Sequence, residues 1–352
     1  MHQTRKKSMI AFLILIVGVC LLAMGLFFYR QNAGPKHHGR SGEATTEDWD
    51  DWDEDQEYTS LYFNESYYST TDQVKTYLFM GTDASGTGEE LEGTKDYKGT
   101  LADFLLLVVI NKTRKTYGFL QIDRNTITEV DMLDENNQSV GATPEQICTA
   151  HWYGTDSQTG CKNTVNAVNY YLGNLEIDGY YALGMEDIGT LNHLVGGVEV
   201  TLEEDFSKAD PAMKKGATLT LNDQQAMTFI RSRMNMTDDT NVNRMKRQRQ
   251  YLSALLTKLK EDMETNPNLV NDIFDELEES DSVDTDLSNR DLSKLVNTMY
   301  KAESQGILTI EGETREGTIL GDGEVHEEFY PDQESVIQVM CKLMNLTEDE
   351  EE

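Results

Sequence analysis

Arg231, Arg233, Arg244, Lys246, Arg247 and Arg249 crowd into one short stretch of a chain that is otherwise acidic. The 352 residues carry 63 acidic and 30 basic side chains, a formal charge of −33, so this gathering of cations is the strongest chemical signal in the sequence. Read as a helix, residues 243–261 put Arg244 and Arg247 on one face, with Gln248 one step further. Arg233 closes the preceding helical segment and can approach them across the loop, with Arg231 just before it. Several guanidiniums aimed at one point make a polyanion site, because each offers a planar fork of donors that matches phosphate oxygens. The competing reading is a helix whose bases balance neighbouring carboxylates in surface ion pairs.

A second set of polar residues falls where apolar runs stop. Asp83 follows VKTYLFMGT, Asp103 opens ADFLLLVVI, and Asp123, Arg124 and Asn125 close GFLQI. Ligands of open α/β sheets sit beyond the carboxyl ends of strands. Asp83 and Asp103 could share a Mg²⁺, a hard cation that takes a few carboxylates plus water and the oxygens of a phosphorylated substrate. Taken singly, an aspartate after a strand is more often a turn residue. Other candidates fall away. GTDASGTGEE lacks both the Lys-Ser/Thr of a P-loop and the GxGxxG order, no GxSxG elbow is present, Cys148 with His151 has neither metal nor nucleophile spacing, and His193 belongs to a helix face. The net charge argues against a nucleic-acid partner, because affinity for a phosphate backbone comes from Lys and Arg displacing counterions.

These residues need a scaffold, and the patterning predicts a layered α/β/α domain with a central mixed sheet. The apolar runs at 74–83, 102–111 and 116–122 read as buried strands, GYYALGM and VEVTL as further strands of the sheet, and GILTIEG as an edge strand. Helices are expected at 163–173, ended by Gly173, at MEDIGTLNHLVGG, at 222–233 with Asn222 as cap, and at 243–261. LVNDIFDELEE, SNRDLSKLVNTMYKA and a closing helix from Pro331 carrying Val336, Ile337, Val339, Met340 and Leu343 follow. Strand and helix segments in alternation mean layers around one sheet.

Outside that domain, residues 9–28 read MIAFLILIVGVCLLAMGLFF with no charge, long enough to span a bilayer as one transmembrane helix. A cleaved signal peptide is the runner-up, through Ala23 and Gly25. Arg5, Lys6 and Lys7 favour a cytoplasmic amino terminus, which leaves everything after the span outside the cell membrane. The expected organisation is a cytoplasmic tail at 1–8, the membrane helix at 9–29, an acidic tether at 30–73, a core at 74–262, an extension completing the same domain at 263–345, and an acidic tail at 346–352. Trp49 and Trp52 sit in the acidic run, where a docking motif for a basic partner competes with aromatics dotted along a solvated linker. Of four cysteines, only Cys148 and Cys161 could pair, by closing a short polar loop.

The order of these pieces resembles the LytR-CpsA-Psr family of membrane-anchored glycopolymer ligases in bacterial envelopes. The blocks that carry it are YLFMGTD, LADFLLLVVINKTRKTYGFLQIDRNT, CTAHWYG, LGNLEIDGYYALGMEDIGTLNHLVGGVEVTL, LTLNDQQAMTFIRSR and NVNRMKRQRQYLSALL, in family order over about 77–262. The resemblance implies transfer of a polyprenyl-pyrophosphate-linked glycopolymer to a peptidoglycan hydroxyl outside the membrane. It assigns Arg124, Arg231, Arg233, Arg244 and Arg247, with Gln248, to the pyrophosphate. Asp83 and Asp103 fall to Mg²⁺, so that Asp83, Asp103 and Arg124 form the catalytic set. The chain departs from the pattern at Leu101 and around Ser85, where arginines are usual, and at Asn125, where an aspartate is usual. Those departures open an alternative: an envelope protein that binds polyprenyl pyrophosphates or a partner without transferring anything.

Overall fold

In the computed structural model, which describes residues 59–83, 100–184, 188–232, 241–266, 269 and 283–349, the long apolar runs form the middle of a six-stranded mixed sheet. The strands are β3 (Val74–Thr82), β4 (Ala102–Asn111), β5 (Thr116–Ile122), β8 (Gly179–Gly184), β11 (Val283–Thr285) and β12 (Glu303–Leu308), in the order β11-β8-β3-β4-β5-β12. β3, β4 and β5 are antiparallel neighbours, while β8 runs parallel to β3 and β12 parallel to β5. The runs lack polar alternation because both faces are covered. Tyr77, Phe79, Leu106 and Val108 enter one core, whereas Leu78, Met80, Leu105 and Leu107 enter the other. The expected layered α/β architecture is therefore what forms.

One core is closed by α1 (Ser157–Tyr171) and α6 (Gln333–Met344), through Val168, Tyr171, Val336 and Met340. The other is closed by α2 (Ile188–Leu194), α3 (Asp223–Arg231), α4 (Asn241–Thr265) and α5 (Asn289–Lys301), through Phe229, Leu252, Leu255, Leu292 and Leu295. Local signals set the helix starts. Asn222 caps α3 in a reciprocal box with Gln225, as its sequence predicts. α1 begins earlier than expected because Asp156 accepts from the Thr159 amide at 2.8 Å, and it stops before Gly173 at φ +71. A Cβ on Gly173 would meet the Phe63 ring at 2.7 Å, so the position needs glycine for space as well as for conformation.

Several expectations are corrected. Residues 59–70, placed in the tether, form the hairpin β1 (Thr59–Phe63) and β2 (Ser66–Thr70), turning through Asn64 and Glu65 at positive φ and burying Leu61 and Phe63 against the α1 side. Part of the expected tail, β15 (Thr347–Glu348), pairs with β2. VEVTL does not rejoin the central sheet, since β9 (Val198–Thr201) pairs, among the described residues, only with β10 (Thr218–Leu221). Two hairpins were not expected at all: β6 (Ile127–Leu133) with β7 (Ser139–Gln146), and β13 (Gly312–Gly317) with β14 (His326–Pro331). Cys148 and Cys161 are free thiols, buried rather than loop-borne, and Cys161 Sγ lies 3.4 Å from His151 Nε2. The span at 9–29, Trp49, Trp52 and most of LVNDIFDELEE lie outside the described residues. Among the described residues no helix is long and apolar enough to cross a membrane.

Candidate anion-binding site at the strand ends

The sheet register brings the polar residues of three strands to one end. β3 slips by one position between Gly81 and Thr82, leaving Thr82 opposite Ala102, and the Asp83 amide donates to Leu101 O at 3.0 Å. Ile122, the last residue of β5, faces Leu105. Asp83, Asp103 and the Asp123–Arg124–Asn125 segment consequently leave adjacent strands together.

α4 delivers the second component. Its inward stripe is Arg244, Arg247, Gln248, Tyr251, Leu252 and Leu255, the i, i+3, i+4 spacing of a packed helix face with polar residues at its first turns. Lys246 points the other way and pairs with exposed Glu203. Arg244 Nη1 lies 3.1 Å from Asp103 Oδ2, while Arg124 Nη1 donates to Asp103 Oδ1, so one carboxylate holds two buried guanidiniums. Burial works against the charge on Arg124, but Cys148, Asp103, Asp83 and Asp123 around it prevail and raise its pKa. Arg124 Nε and Gln248 Nε2 are buried with no hydrogen-bond acceptor among the described residues, which leaves donors in place for an anion.

Two residues outside the expected set complete the network. Asn241 Oδ1 accepts from Arg244 Nη2 at 2.6 Å, and Asn241 Nδ2 donates to Asp123 Oδ1 at 2.6 Å. Burial pushes the Asp123 carboxyl above its ordinary value, with the charge of Glu327 adding to that. Glu327, on β14, accepts at Oε1 from Asn125 Nδ2 at 3.0 Å and from the Asn241 amide at 3.3 Å. Nothing local in HEEFYP marks Glu327, and Asn241 could have been found only as the residue opening α4.

The remaining expected residues are placed differently. Arg231 reaches Asp83 at 3.7 Å with both side chains about one-third exposed, at 37% and 34%. Arg247 donates from Nε to Phe229 O at 3.0 Å and from Nη1 to Glu204 at 2.8 Å, and its guanidinium stands 5.6 Å from the centre of the Phe206 ring. Gln248 Oε1 accepts from Gln121, whose own Oε1 accepts from Arg249. Arg233 lies outside the described residues. Among the described residues no three acidic, histidine or cysteine side chains gather as a metal cage. Asp83 and Asp103 fit a Mg²⁺ only as the one or two carboxylates of a shell otherwise filled by substrate oxygens and water.

The arrangement is a layered α/β/α domain in which buried arginines converge where strands end. The LytR_cpsA_psr family model matches residues 31–343, and the chain belongs to that family. It is 28% identical over 190 residues to the Biofilm regulatory protein A of Streptococcus mutans, covering 52% of this chain and 43% of that one. To the polyisoprenyl-teichoic acid–peptidoglycan teichoic acid transferase TagU of Bacillus licheniformis it is 27% identical over 186 residues, 51% of each chain. The matched region thus spans about half the length of these curated relatives. The crystal structure of B. subtilis TagV has the same fold, with a TM-score of 0.55 at 23% identity over 79% of this chain and 100% of that one.

Proposed function

We propose that the chain binds a polyprenyl-pyrophosphate-linked glycopolymer at the arginine end of the sheet and transfers the glycopolymer to a peptidoglycan hydroxyl outside the membrane, with residues 9–29 as its anchor. The observation that carries this is the Arg124–Asp103–Arg244 arrangement, in which two buried guanidiniums are held ready around one displaceable carboxylate. The transferase name of the TagU relative and the family membership support the reaction type. In the transfer step the acceptor oxygen bonds to the phosphorus bearing the glycopolymer, the bridging P–O bond breaks, and prenyl monophosphate leaves. Arg124 and Arg244 neutralise the charge growing on that leaving phosphate, and Arg231 can join from the rim. A Mg²⁺ held by Asp83 and Asp103 would add further neutralisation.

The competing reading, binding without transfer, draws on Leu101, whose carbonyl accepts from the Asp83 amide at a position where the resemblance implies an arginine. The test uses the full chain in detergent, with a synthetic prenyl-pyrophosphate disaccharide as donor and a soluble peptidoglycan fragment as acceptor. Arg244→Ala is expected to weaken donor binding by about 1.5–3 kcal/mol, the scale of charged hydrogen bonds, and to abolish transfer with it. If the native chain binds the donor but transfers nothing while Leu101→Arg does transfer, the binding-only reading stands instead.

A further inference from the structure

Transfer to a hydroxyl requires a group to take its proton, and the carboxylates at the strand ends are not equally placed to do so. Asp103 has both oxygens on guanidiniums. Asp123 is buried, and its Oδ1 accepts from the Asn125 amide at 2.8 Å and from Asn241 at 2.6 Å. Asp83 faces Arg231. Glu327 differs from all three. It is half-buried, its Oε1 is fixed by two donors, and its Oε2 carries no hydrogen bond from the described residues.

The fold places Glu327 deliberately. Gln146 Nε2 donates to Glu327 O at 2.7 Å, the Phe329 amide donates to Asn125 O at 2.9 Å, and Thr126 and Phe329 form a parallel bridge. β14 is thereby sewn to the segment that follows Arg124. Asn125 and Asn241 each span the two carboxylates, one with its backbone amide on Asp123 and its side chain on Glu327, the other the reverse. A neutral amide at 125 is what such bridging needs, since an aspartate there would put a third carboxylate against Asp123 and Glu327 in place of a donor.

We propose that Glu327, delivered by the carboxyl-terminal hairpin, is the general base of the transfer, and that Asn125 and Asn241 are its positioning residues. The inference rests on the ligase reading above. In the step, Glu327 Oε2 takes the hydroxyl proton as the acceptor oxygen bonds to phosphorus. The electron pair of the breaking bridge bond departs on the prenyl phosphate beside Arg244, which touches Asn241 and so lies one residue from the base.

The experiment measures donor binding and steady-state transfer separately, in the full chain, for Glu327→Gln, Asn125→Asp and the control Glu316→Gln, which alters the exposed residue facing Glu327 across the hairpin. Glu327→Gln preserves size and the acceptor for Asn125. It is expected to lower kcat by roughly 10²-fold or more, the usual worth of a general base, with donor affinity within about twofold. Asn125→Asp is expected to lower kcat about tenfold with the donor still bound, and supplies a second test should the Gln variant fold poorly. Glu316→Gln is expected to behave as the native chain. Transfer by Glu327→Gln at a near-native rate, or faster transfer by Asn125→Asp, would overturn the assignment while leaving the ligase reading intact. Absence of transfer by the native chain under every donor would overturn both, and that result is visible before any variant is made.

Discussion

Arg244 and Arg247 stand one helical turn apart on α4, at 3% and 5% exposure, yet they meet different partners. Arg247 is tied to backbone as well as to a side chain. It caps the carbonyls of Phe229 and Ser232, the unsatisfied acceptors at the end of α3, and pairs with Glu204 over the Phe206 ring. Arg244 is bonded to the Asp103 carboxylate at the strand ends and to the Asn241 side chain that opens α4, which link onward to Arg124, Asp123 and Glu327. A backbone carbonyl is part of the fold, whereas a side-chain carboxylate can be replaced by a phosphate oxygen of the same charge sign. Equal burial therefore conceals two different sets of partners, backbone carbonyls and Glu204 for Arg247, Asp103 and Asn241 for Arg244.

The largest effect that would sharpen this contrast comes from Asp103→Ala. Removing the carboxylate leaves two buried guanidiniums facing each other, and breaking such a buried pair costs about 3–5 kcal/mol. A lowered Tm is expected, together with a greater rise in Tm on adding pyrophosphate than the native chain shows, because the anion takes the missing place. A variant as stable as the native chain would mean the arginines are already compensated by other groups. Arg247→Ala comes next. Losing charged hydrogen bonds is expected to cost about 1.5–3 kcal/mol of stability in a denaturant titration, while donor affinity of the folded fraction is retained. Loss of affinity without loss of stability would reverse the assignments and make Arg247 the ligand-binding residue.

The sequence discloses the parts of this system that depend on neighbours along the chain. β3, β4 and β5 are legible because double-sided burial writes an unbroken apolar run, and α3 because Asn222 and Gln225 form its cap within four residues. The cation cluster was visible by composition, but not the division of labour between Arg244 and Arg247, which depends on where α3 ends in space. β7 is not legible because SVGATPEQ is largely exposed and has no alternation to read. The β1–β2 hairpin is equally illegible because it follows an acidic tract and rests on only two buried apolar side chains, Leu61 and Phe63. Glu327 is the extreme case: its partners are 202 and 86 residues away, so no spacing rule connects them.

The smallest expected effect tests the polar side of the site rather than its arginines. Burial raises the Asp123 pKa, and Glu327 adds to the rise. The Asn125 amide, the Asn241 side chain and Arg244 pull in the other direction. A carboxyl whose folded pKa lies above its unfolded value binds its proton more tightly in the native state. Its contribution to stability is complete below the unfolded value, near pH 3.9 for aspartate, and is lost as pH rises through the folded one. Asp123→Asn fixes a neutral side chain that can still accept from Asn125 and Asn241 at every pH. Relative to the native chain, the variant is therefore expected to gain stability as pH rises above about pH 4, read as a growing difference in denaturant midpoint. The opposite trend, with the native chain gaining on the variant as pH rises, would show that the amide donors and Arg244 outweigh burial. Asp123 would then resemble Asp103, whose two oxygens both meet guanidiniums, and the distinction between the cationic and acidic halves of the site would narrow.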